Sequence, residues 1–103
     1  MLVNMTELPL MNWSPEQLEA ARKLSTDGVI RHYDLPTILP GDASIKVQDA
    51  AWQAAEEIER LKPDAVIIQG ESVFVTTFVN NYCSSQCYSP CYEDGKFVQF
   101  RRF

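Results

Sequence analysis

Basic side chains are scarce: 9 lysines and arginines stand against 14 aspartates and glutamates, a formal net charge of −5. Phosphate backbones are gripped by basic faces, so this balance argues against long duplex DNA or RNA as a partner. A small nucleotide held by backbone amides and a few local cations stays compatible with it. Histidine occurs once, at His32, and no serine, cysteine and carboxylate set is specified around it. A triad hydrolase finds no support there, and His32 reads as a satisfied strand residue. Cysteine is confined to Cys83, Cys87 and Cys91, an odd number that makes no secreted disulfide framework. Their spacing departs from the tight Cys-x-x-Cys pairs of zinc and iron–sulfur loops, and Pro90 keeps one helix from presenting all three thiols. Buried or half-exposed thiols are expected, with no metal site and no cofactor. Met1 to Leu10 has neither a basic cluster nor a long apolar run. That predicts no signal peptide, no membrane span and a cytoplasmic protein. With no internal repeat, low-complexity segment or linker, residues 1–103 are expected to form one domain.

What is present is an ordinary globular composition, 46% hydrophobic and 22% charged, organised around Lys62 to Tyr82. Ala65 to Ile68 is an apolar, β-branched run bounded by Pro63 and Gly70, which predicts a strand buried on both faces. Beyond Gly70 the period changes. Phe74, Val75, Phe78, Val79 and Tyr82 fall on one helical face, so Gln69-Gly70-Glu71-Ser72 is the turn between a strand and a helix.

Upstream, Leu2 to Thr6 predicts a first strand, and Pro9 makes Leu8 to Met11 a loop. Ser14-Pro15-Glu16-Gln17 predicts a helix start, with Ser14 as cap, Pro15 in the first turn, Gln17 completing a capping box and Trp13 stapled to Leu18. Asp27-Gly28 is expected to end that helix through a left-handed glycine. Val29 to Tyr33 predicts the second strand, and a long helix capped by Asp42 or Ser44 reaches about Leu61, with Val47, Ala51, Ala54 or Ala55, Ile58 and Leu61 inward. Asp94-Gly95 between Tyr88 to Tyr92 and Phe97 to Arg102 predicts a hairpin. The order β-α-β-α-β-α-β-β implies an α/β fold: a mostly parallel, Rossmann-like, three-layer domain ending in an antiparallel hairpin.

In such sheets ligands sit beyond the carboxyl ends of the strands, where the connection order reverses. That places Gln69 to Ser72 beside the loop after the first strand. Gln69 is suited to reading a base or ribose edge, Gly70 to close backbone approach, and Ser72 to capping the helix or donating to phosphate. Glu71 can accept from a ribose hydroxyl or act as a base. Arg101 and Arg102, with Lys96, form the one basic cluster, and strand alternation lets a single arginine face a site while the other meets solvent.

This order of elements, with Ser14-Pro15-Glu16-Gln17 and Ile68-Gln69-Gly70-Glu71 as its sharpest segments, resembles small stand-alone CRISPR-associated Rossmann-fold (CARF-like) proteins of type III CRISPR systems. Those are ring nucleases or binders of cyclic oligoadenylate second messengers, acting in antiviral defence. The resemblance implies a homodimer that binds cyclic tetra-adenylate across both copies of the strand-end loops. It further implies metal-independent cleavage, in which a ribose 2′-hydroxyl attacks the neighbouring phosphate. Gln69 and Gly70 would then bind ligand and Glu71 and Ser72 would serve catalysis. Thr6, Asn12 and Ser14 carry over as ligand contacts from the first loop, and Arg101 or Arg102 would balance phosphate. This chain has Ser72 and Val73 where the resembling proteins have an aromatic residue and a second glycine. A non-catalytic sponge for the same messenger and a small interaction domain with no nucleotide ligand are the alternatives.

Overall fold

The computed structural model describes residues 1–82 and 86–103, and the thiol expected at Cys83 falls outside them. The elements are β1 (Leu2–Met5), α1 (Pro15–Lys23), β2 (Ile30–His32), α2 (Ser44–Leu61), β3 (Ala65–Ile68), α3 (Ser72–Asn81), β4 (Cys87–Glu93) and β5 (Lys96–Arg102). They build a five-stranded sheet in the order β2-β1-β3-β4-β5, parallel except for β5, which returns antiparallel to β4. The α/β class, the mostly parallel sheet and the terminal hairpin are as expected, and the architecture is compatible with a small Rossmann-like fold. Among the described residues no helix is long and apolar enough to cross a membrane.

The strand order explains the layers. The first crossover steps from β1 to one side of the sheet and the next two step the other way. Right-handed crossovers then put the first helix on one face and the other two on the opposite face. Side-chain alternation agrees. Val3, Met5, Val66 and Ile68 pack with α2 and α3 around Ala51, Ile58, Phe74 and Phe78, whereas Leu2, Ala65 and Ile67 pack with α1 through Trp13 and Ala21. Both central strands are therefore buried on two faces, which is why β3 is apolar throughout.

One helix is too narrow to cover its face, and the β4–β5 hairpin completes it. Phe100 packs against Trp13 with ring centroids 5.9 Å apart, and Phe97 and Tyr92 continue the aromatic run at 4.8 and 6.2 Å. The hairpin turns at Asp94 and Gly95, both at positive φ (51° and 78°), as an Asp-Gly hairpin requires.

Element ends differ from expectation in four places. Ser14 does cap α1, accepting from the Gln17 amide at 3.2 Å. The Gln17 side chain does not close the capping box, because its carboxamide bonds the Tyr92 hydroxyl instead. Gly28, at φ 73°, shapes the turn into β2 and is not the cap of α1, which ends at Leu24 in a right-handed conformation. α2 begins after Ala43 with no side-chain cap; Asp42 instead accepts from the Leu39 amide and Lys46, while Ser44 is already helical. β2 is also shorter than expected, because Tyr33 leaves the ladder after its amide bonds the Asn4 carbonyl.

Candidate functional site

The connection order reverses at β1 and β3, and their carboxyl ends, with that of β2, surround two adjoining hollows. The larger, of about 390 Å³, is lined by Thr6, Glu7, His32, Asp34, Gly70 and Glu71 over an apolar wall that includes Leu35 and Phe74. The smaller, of about 300 Å³, lies between Glu7, Leu8, Gln69, Gly70 and Tyr92. Glu7 and Gly70 belong to both.

Beneath them sits Asn4, wholly buried in a strand whose other members are apolar. Its Oδ1 accepts from the Thr6 amide at 3.2 Å and the Thr6 hydroxyl at 2.8 Å. With the oxygen so engaged, Nδ2 is the other edge, donating to the Leu8 carbonyl and meeting His32 Nδ1, both at 3.1 Å. An amide nitrogen only donates, so His32 Nδ1 must accept, and the neutral ring carries its proton on Nε2. Nε2 in turn lies 3.3 Å from Asp34 Oδ1, a carboxylate almost entirely in solvent. No buried side-chain polar atom among the described residues lacks a partner, so this network is complete.

Glu71 plays a part the sequence reading did not assign. It is the N-cap of α3, and its carboxylate accepts from the Val73 amide at 2.6 and 3.2 Å and from the Phe74 amide at 3.0 Å. The amides at the start of α3, where an anion would otherwise dock, thus already face a carboxylate. Ser72 is the first helical residue, not the cap; it is exposed and lines neither hollow. Gly70 is not left-handed, so the turn does not demand glycine, and an added Cβ would meet only Leu35 Cδ1, at an ordinary 3.7 Å. Its open side faces the hollows.

No protein-family model, curated protein or solved structure matches the chain. The site therefore stands on its geometry. Of the expected residues, Thr6, Gln69, Gly70 and Glu71 are brought together. Asn12 is exposed in a short 3₁₀ turn, Leu10–Asn12, and the Ser14 hydroxyl is engaged as a helix cap. Arg101 and Arg102 are not brought to this edge. They pair with Ser89 and Tyr88 on the outermost strand, two strands from β3 and so about 10 Å to the side. Among the described residues no cluster of three or more histidine, cysteine or acidic side chains is arranged to hold a metal. Cys87 is buried, and Cys91 is half-buried with its Sγ 3.7 Å from the Ser89 carbonyl.

Three residues were missed. Asn4 had a signal in the sequence, a polar side chain inside an apolar strand. Tyr92 and Gln17 had none, since they meet across 75 residues of chain at 3.0 Å. That bond fixes a half-exposed aromatic ring beside Gln69 and Gly70.

Proposed function

We propose that the chain binds a cyclic oligoadenylate, with cyclic tetra-adenylate the first candidate, at the carboxyl edge of β1 and β3. It does so as a homodimer whose two-fold axis matches that of the ring. The observation that supports this reading is the pair of hollows sharing Gly70 at the reversal point of the sheet, where open α/β folds take their ligands. Tyr92 offers an aromatic surface for a base, and Gln69 offers an amide for a base edge. Electrostatics restricts the pose. Carboxylates of Glu7, Asp34 and Glu71 line the larger hollow, so sugar or base enters there and phosphates stay toward solvent.

Sequestration is the simpler form of this reading, because the Glu71 carboxylate is engaged at the start of α3 and Ser72 lines neither hollow. Ring opening is the second form, favoured by the oriented imidazole of His32. In that reaction the ribose 2′-oxygen bonds to phosphorus while the bond to the 5′-oxygen breaks. The 2′-hydroxyl gives up its proton and the departing 5′-oxygen gains one, so a 2′,3′-cyclic phosphate and a 5′-hydroxyl result, without metal. Incubation with cyclic tetra-adenylate in excess EDTA, reading binding and products separately, tests both forms. Tight binding with an intact ring supports the sponge, and linear products with 2′,3′-cyclic phosphate ends support the nuclease. No binding to rings of four or six adenylates overturns the proposal and leaves an interaction domain.

A further inference from the structure

We propose that the larger hollow is a subsite for the vicinal diol of a ribose, in which His32 Nε2–H donates to one hydroxyl oxygen and a neighbouring carboxylate accepts from the hydroxyl hydrogens. This rests on the nucleotide reading above and specifies which part of the ligand enters. The argument begins at Asn4. Its oxygen is held by two donors from Thr6 and its nitrogen by the Leu8 carbonyl, so the amide has one orientation and His32 Nδ1 can only accept. The edge of the imidazole left outside the protein is Nε2–H, a fixed donor. Its partner in the structure is Asp34 at 3.3 Å, whose side chain is 99% exposed and can yield to a ligand oxygen.

Around that donor the hollow presents Glu7, Asp34 and Glu71, groups that accept and repel anions. A phosphodiester, with oxygens that only accept near neutrality, would oppose three carboxylates for the sake of one donor. A hydroxyl both accepts and donates, so it satisfies His32 and a carboxylate together, and two adjacent hydroxyls can share one carboxylate. The neutral diol is therefore the part of a nucleotide whose hydrogen-bonding pattern complements the hollow. The apolar wall at Leu35 and Phe74 suits the carbon face of the sugar.

Histidine occurs once, so nitrogen-15 correlation spectra of the full chain contain a single imidazole and need no assignment. The free protein near neutral pH is expected to show the Nε2–H tautomer. Adenosine is expected to move the Nε2 resonance saturably, 2′,3′-dideoxyadenosine to bind at least about tenfold more weakly, and inorganic phosphate to leave it in place. His32→Phe, checked to be folded at the assay temperature by circular dichroism, is expected to lose about tenfold in adenosine affinity by calorimetry, and His32→Gln, which keeps a donor, to recover part of it. An Nδ1–H tautomer, equal affinity for the two nucleosides, or a shift with phosphate alone would each overturn the subsite. If cyclic tetra-adenylate binds while adenosine leaves His32 untouched, the subsite fails and the nucleotide reading stands. If adenosine binds through its diol and the ring does not, the opposite holds.

Discussion

Replacing Asn4 by alanine separates a load carried by the polar network from mere burial. The substitution removes four contacts at once, to the Thr6 amide, the Thr6 hydroxyl, the Leu8 carbonyl and His32 Nδ1. Three of the stranded groups have a second option. The Leu8 carbonyl still accepts from Trp13 Nε1 at 3.1 Å, the Thr6 hydroxyl lies 3.4 Å from the same carbonyl, and His32 is open to water. The Thr6 amide has none, because its residue is 3% exposed. One orphaned buried donor costs about 1–3 kcal/mol, and the vacated volume adds about 1 kcal/mol. Asn4→Ala should therefore lose about 2–4 kcal/mol, a large part of the roughly 5–15 kcal/mol that holds such a domain. For a chain of this length that lowers the melting temperature by about 10 °C or more. Urea unfolding, followed by tryptophan fluorescence and circular dichroism, would measure it, with an unchanged denaturant slope confirming an intact native state. Asn4→Asp is the companion variant. It keeps the acceptor for Thr6 but gives His32 Nδ1 a carboxylate to donate to, so the single imidazole should change tautomer or charge. A loss below about 1 kcal/mol in Asn4→Ala, or an unaltered imidazole spectrum in Asn4→Asp, would refute the network as described.

Glu71→Ala should cost about 1 kcal/mol through loss of the α3 cap, whereas Glu71→Ser should match or exceed wild type, since serine is the better N-cap; thermal melts of the pair decide it. Gly70→Ala should fold normally, its Cβ in ordinary contact with Leu35, while Gly70→Val should weaken binding of cyclic tetra-adenylate by filling the space between the hollows; wild-type affinity in a folded valine variant would remove that turn from the site. Burial, and then the 2.7 Å bond that Tyr33 donates to Glu57, push the Tyr33 phenol up from 10.0 to about 12. The neutral phenol is the form the fold favours, so this contribution is whole below pH 10.0 and is lost as pH rises towards about 12. Ultraviolet titration of the 4 tyrosines should show a late phase that Tyr33→Phe abolishes.

Local signals read well. The unbroken apolar run of β3, the change of period after Gly70 and the Asp94-Gly95 turn each depend on neighbours a few residues away. From them came the order of elements and the edge at which the hollows lie. What failed was decided across the chain. Gln17 looked like the second half of a capping box, but a hydroxyl 75 residues later took its carboxamide. Arg101 and Arg102 looked available to a phosphate until strand order put β4 between them and β3. Glu71 was assigned to chemistry and Ser72 offered as a cap; the helix begins at Ser72, one residue earlier than a Ser72 cap requires, so Glu71 takes that place. Asn4 could be seen as out of place in its strand, yet only the geometry says that it governs the tautomer of His32.

The hairpin that covers α1 also sets the order in which the molecule can be made. Trp13 finds its aromatic neighbour in Phe100, and Gln17 its partner in Tyr92, so the layer built on the earliest helix is finished by the latest strands. Contacts of such sequence separation form slowly, because the loop between them must close first. Until the hairpin docks, Trp13 and the inward stripe of α1 stay uncovered, an adhesive surface that persists until Lys96–Arg102 is in place. A weakened Trp13–Phe100 contact should therefore be felt first as a lower refolding yield at high protein concentration, where uncovered chains meet one another.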